Sequence, residues 1–85
     1  MKVKRTVDTD EYLRMVARII TATGKRVADA DPDDLRALLA LRDQVDAAIL
    51  TAVRGLRASG SSWEDIGAAT GTTRQAAIMK WTHKI

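Results

Sequence analysis

The stretch SSWEDIGAATGTTRQAAIMKWTH, residues 61–83, decides the reading of this chain. Ser62 suits an N-cap, and Asp65 sits three residues on, near the capping-box position, where an acid favours the helix dipole. Trp63, Ile66 and Gly67 then fall at helical spacing. Gly71 stops the run, because a corner residue often takes positive φ, which only glycine adopts without strain. Thr73 suits the cap of a second helix, on which Ala77 and Trp81 lie four apart and share one face. Gly67 is small where the second helix should cross the first.

An apolar Ile66, a small Gly67, a corner Gly71 and an inward Ala77 have the spacing of a helix-turn-helix that binds DNA. The segment resembles the helix-turn-helix of sigma-factor region 4. It is still more similar to the S-W-x-x-I-G-x-x-x-G-x-[ST]-R-Q-A-A-x-x-x-W pattern of small stand-alone helix-turn-helix proteins of actinobacteria and their phages. Ser62, Trp63, Ile66, Gly67, Gly71, Thr73, Arg74, Gln75, Ala76, Ala77 and Trp81 carry the resemblance, with a looser match reaching back to the Asp-Pro-Asp-Asp-Leu run at Asp31. Thr70 departs from the pattern, where a larger apolar residue is usual, and this predicts a looser corner. The resemblance to sigma region 4 also implies RNA polymerase as a possible protein partner.

Outward from this stretch, the chain is short. Eighty-five residues predict one helical domain with a small core, for which a partner chain would help to bury apolar surface. Fourteen alanines, one proline and no phenylalanine suit packed helices and not a sheet. With no cysteine there is no disulfide framework and no thiol chemistry. No apolar run approaches a membrane span, and no apolar stretch follows the charges of the first residues. The expected place is therefore the cytoplasm, away from membranes.

The net charge of +3 is unevenly spread. Residues 1–27 hold seven Lys/Arg against three acids, residues 28–53 two against six, and residues 54–85 five against two. Basic ends suit phosphate, and the acidic middle should face away from it.

Residues 1–7 read as a basic arm. Asp8 or Thr9 is the expected cap of a first amphipathic helix over 9–23, with Tyr12, Val16, Ile19, Ile20 and Thr23 on one stripe and Gly24 at its end. The fragment Thr23-Gly24-Lys25 lacks the rest of a phosphate loop and is read as chance. Asp31-Pro32-Asp33-Asp34 is a helix start, with an acid cap, proline at the first helical position and acids in the first turn. The periodic Leu35, Leu38, Leu39, Val45, Ile49, Ala52, Val53 and Leu56 extend this central helix over 32–58, about 40 Å at 1.5 Å per residue. The first helix, or a second subunit, should cover its N-terminal half. Leu41 and Leu50 lie partly off the stripe and are candidates for a dimer contact. The helix-turn-helix over 62–83 should close a tri-helical unit around Val53, Leu56, Trp63, Ile66, Ala77 and Trp81.

On this reading the 74–83 helix enters the major groove of double-stranded DNA. Arg74 suits guanine and Gln75 suits adenine. Thr73 caps the helix and touches phosphate. Ile78 and Met79 suit either thymine methyls or a protein interface. Lys80, Lys84, Arg54 and Arg57, with His83 beside them, suit phosphate. One helix buries little surface, so a homodimer on two half-sites is expected. The chain then reads as a bacterial or phage transcription regulator. The alternative is a helical protein-interaction module that keeps the fold and binds a host factor or RNA polymerase. An enzyme is not expected. The single histidine has no second ligand at helical spacing, Ser61 and Ser62 have no base nearby, and the acid pairs Asp33-Asp34 and Glu64-Asp65 are explained by helix starts. No cofactor or metal is expected.

Overall fold

A computed structural model describes the backbone of residues 3–85 and the side chains of residues 8–85. Among these residues there are four helices and no strand: α1 (Val3–Ala28), α2 (Asp33–Ala58), α3 (Trp63–Ala69) and α4 (Arg74–Trp81). None of them is long and apolar enough to cross a membrane. The chain divides into two compact units, residues 1–41 and 42–85, with the boundary inside α2.

The first unit corrects two expectations. The helix expected over 9–23 runs over Val3–Ala28, so Asp8 and Thr9 lie within it and do not cap it. Residues 3–7 of the expected arm are helical backbone; residues 1 and 2 lie outside the described residues. Gly24 does not end the helix either, since one glycine inside a helix costs only about 1 kcal/mol, and no stronger breaker occurs before Pro32. The helix unwinds at Asp29 and Ala30, whose N–H groups bond back to the Arg26 and Val27 carbonyls. The Asp31 carboxylate then accepts from the Asp33 N–H at 3.2 Å, and Asp33 and Asp34 fill the first turn of α2. The acid–proline–acid run therefore starts a helix as its chemistry dictates.

Packing in this unit is slight. On α1, Val16, Thr23 and Val27 are half-buried, and on the start of α2 only Leu38 is. Thr23, Val27, Ala37, Leu38 and Leu41 line an open crease, with Arg26 and Asp34 also on its wall. No described residue of this unit is buried.

The second unit holds the buried core. Val53 from α2, Ile66 from α3 and Ala77 and Trp81 from α4 are buried together, with Leu50 and Trp63 packed against them. Two expectations change here. Leu56, expected in this core, is 47% exposed. Leu50, expected at a dimer contact, is half-buried against the core. The reason is helical phase: Leu50, Val53 and Arg57, at spacings of three and four, form the side of α2 that meets α3 and α4, and Leu56 is turned away from that line.

Candidate nucleic-acid interface

The candidate interface is built on the two short helices and the turn between them. Ser62 caps α3 through a complete capping box. Its hydroxyl accepts from the Asp65 N–H, and the Asp65 carboxylate accepts from the Ser62 N–H, both at 3.0 Å. The Ser62 N–H, and then the Ser62 hydroxyl, hold the Asp65 carboxyl below its ordinary value. The acids Glu64 and Asp65 thus lie in the first turn of α3, where they favour the dipole.

Close approach of the backbone sets the geometry of the turn. Gly67 is buried, and a Cβ there would lie 2.7 Å from the Thr73 carbonyl oxygen. The Thr72 N–H donates to the Gly67 carbonyl at 2.7 Å. Gly71 takes φ of +77°, the left-handed conformation that a side chain disfavours. Thr70 ends α3, and its hydroxyl donates to the Ile66 carbonyl at 2.8 Å. This polar corner closes by hydrogen bonds.

α4 begins at Arg74. The Thr73 hydroxyl caps it by accepting from the Ala76 N–H at 3.0 Å. Ala77 and Trp81 bury the back of the helix against Val53 and Ile66. Arg74 and Gln75, in its first turn, are exposed. Ile78 is half-buried, whereas Met79 is 68% exposed, so the two apolar residues have different surroundings.

The basic residues also divide. The Lys80 ammonium lies 5.1 Å from the Trp81 ring centroid, and Lys80 and Lys84 line a small cleft with Asp46, Ile49, Leu50 and Trp81. Arg54 donates to the Lys84 carbonyl at 3.4 Å, a long contact that ties the chain end to α2. Arg57 donates to the Ser61 carbonyl at 3.0 Å and stacks 4.8 Å from the Trp63 centroid. It thereby holds the connection into α3, where Gly60 takes φ of +108°. This packing role is missing from the sequence reading, although an arginine six residues before a tryptophan, across a glycine turn, was a signal for it.

Arg74, Gln75, Thr73, Met79 and Lys80 all belong to α4 or its cap, and Lys84 and Arg54 meet at the chain end. Among the described residues, no group of three His, Asp or Glu side chains is placed to hold a metal ion. No protein-family model, curated protein or solved structure matches the chain.

Proposed function

We propose that the chain is a sequence-specific double-stranded DNA-binding protein, a transcription regulator of bacterial or phage type. In this reading α4 enters the major groove. One observation carries it: α4 has a buried back, Ala77 and Trp81, while its capped first turn presents Arg74 and Gln75 to solvent. A recognition helix needs this division, because its back must be fixed by packing while its N-terminal side chains reach base edges. The close backbone crossing at Gly67, the positive φ at Gly71 and the resemblance of residues 62–81 to sigma region 4 and to small stand-alone helix-turn-helix proteins support the same reading. Arg74 and Gln75 would read bases. Thr73, Lys80, Lys84 and Arg54 would contact phosphate. The protein would act in the cytoplasm and use no cofactor and no catalytic group.

A second reading rests on Met79. A long apolar side chain this exposed on α4 suits a protein partner, RNA polymerase included, as well as a thymine methyl.

Fluorescence anisotropy on labelled random and genomic duplexes separates the two. The DNA reading expects selective binding that weakens steeply with salt, and Arg74→Ala should remove about 1–3 kcal/mol of the discrimination. Equal weak binding of every duplex by both proteins would overturn it, and Met79→Ala in a partner capture would then test the second reading.

A further inference from the structure

Two threonine hydroxyls in the turn between α3 and α4 lie in line with each other. The Thr70 hydroxyl is 2.8 Å from the Ile66 carbonyl oxygen, 3.3 Å from that of Gly67 and 3.4 Å from the Thr72 hydroxyl. The Thr72 hydroxyl is in turn 3.4 Å from the Thr73 carbonyl oxygen. That carbonyl also accepts from the Ala77 N–H at 3.0 Å, the bond that opens α4.

A hydroxyl has one hydrogen to give and two lone pairs with which to accept. The Thr70 hydrogen goes to the Ile66 carbonyl, the shortest of its contacts. The Thr72 hydrogen then has two acceptors at the same distance, the Thr70 oxygen and the Thr73 carbonyl. The first is fixed to the end of α3 and the second to the start of α4. A hydrogen shared between them is a three-centre bond that ties one helix to the other.

The tie matters because the other contacts at the start of α4 converge on one residue. The Thr73 carbonyl rests on Gly67, where an added Cβ would be 2.7 Å away. The Thr72 N–H donates to the Gly67 carbonyl at 2.7 Å. Contacts at one residue form a pivot, and a second attachment, at Thr70, resists rotation about it. The packed back of α4 begins only at Ala77. Arg74 and Gln75 follow Thr73 directly, so the chain direction there aims them. Side chains that recognise a ligand must be held within about 10–20° of the productive geometry.

We propose that the Thr70 and Thr72 hydroxyls form a bridge that orients the start of α4, which makes them positioning residues for base discrimination by Arg74 and Gln75. The discrimination rests on the DNA-binding reading of α4; the bridge itself does not.

Native-state amide hydrogen exchange of the full chain without DNA, followed by NMR, tests the bridge. The Ala76 and Ala77 amides bond the Thr73 hydroxyl and carbonyl, so they report the start of α4. The Val53 amide, on α2, serves as the reference for the core. Relative to Val53, Thr70→Val and Thr72→Val should each speed exchange at Ala76 and Ala77 about three- to ten-fold, the effect of losing one hydrogen bond. The double variant should exchange no faster than either single variant, because each already breaks the same bridge. Thr70→Ser keeps the hydroxyl and should behave as wild type. Unchanged exchange, additive single variants, or a Thr70→Ser that matches Thr70→Val would overturn the bridge.

Anisotropy on the labelled duplexes tests the positioning. Thr70→Val should reduce the preference for selected over random duplexes about three- to ten-fold and leave the salt slope unchanged, since no phosphate contact is removed. Full discrimination by Thr70→Val, or a shallower salt slope, would defeat the positioning role. A wild type that discriminates among no duplexes would end that role together with the DNA reading, and the exchange experiment would still decide the bridge.

Discussion

At Gly67 the volume a methyl group would need is already occupied by backbone. A Cβ would sit 2.7 Å from the Thr73 carbonyl oxygen and 2.8 Å from its carbon, atoms that hold the cap of α4 and cannot swing aside like a side-chain tip. Gly67→Ala should therefore cost about 1–3 kcal/mol, the usual range for overpacking, as read by thermal or urea denaturation. Gly24, where an added Cβ would meet nothing within 4 Å, provides the contrast, and Gly24→Ala should be neutral or stabilising in the same assay. Asp65 sets a pH dependence. Its pKa in the folded chain lies below the ordinary 3.8, because the Ser62 N–H, then the Ser62 hydroxyl, favour the carboxylate. A depressed folded pKa contributes stability above the unfolded value, and that contribution is lost as pH falls through the folded one. Asp65→Asn should melt below wild type at neutral pH, and the two curves should converge in acid below about pH 3.8. A constant gap across that range would remove Asp65 from the account.

At the scale of the element, α4 is held by its cap and its back. Trp81 is 6% exposed and, among the described residues, is the largest buried side chain of the cluster it forms with Val53, Ile66 and Ala77. Truncation of a buried tryptophan costs about 3–5 kcal/mol, a large share of the stability of a small domain. Trp81→Ala should thus lose helical circular dichroism and any DNA affinity together, whereas Arg74→Ala should lose affinity and keep the spectrum. Equal melting of the Trp81→Ala variant and the wild type would show that the core does not depend on this ring. The capping chemistry of these short helices was legible in residues 61–83, since a Ser or Thr cap, an acid three residues on and a corner glycine act within one turn. The ends of α1 were not. Asp8 and Thr9 have the character of caps, but a cap forms only where the chain leaves the helix, and the backbone continues upstream to Val3.

For the whole molecule, the uneven charge makes salt the discriminating variable. On the DNA-binding proposal, Lys80, Lys84 and Arg54, the last held only by a long 3.4 Å contact to the Lys84 carbonyl, would offer about three phosphate contacts, which predicts a slope of log affinity on log salt of about −3. A binding curve flat in salt would favour the partner reading built on Met79. Arg57 should add little to this slope, because its guanidinium already serves the Ser61 carbonyl and the Trp63 ring. Arg57→Ala should instead lower the melting temperature.

The sequence by itself determined that the chain is helical, that helices start after Ser62 and Thr73 and within the Asp31–Asp34 run, and that Ala77 and Trp81 face inward. Each of these is set by neighbours within a turn or two, through propensity, capping and the 3.6-residue period. The tertiary structure alone decided which of several apolar lines on a long helix is covered. Leu50 and Leu56 are equally apolar and six residues apart, yet one packs on the core and the other is exposed, because only the placement of α3 and α4 selects the side of α2 that is buried. It also decided that Arg57 packs on Trp63, a contact across a turn whose path depends on Gly60. Burial depends on what lies opposite a residue, and a helical period specifies a side without specifying its neighbour.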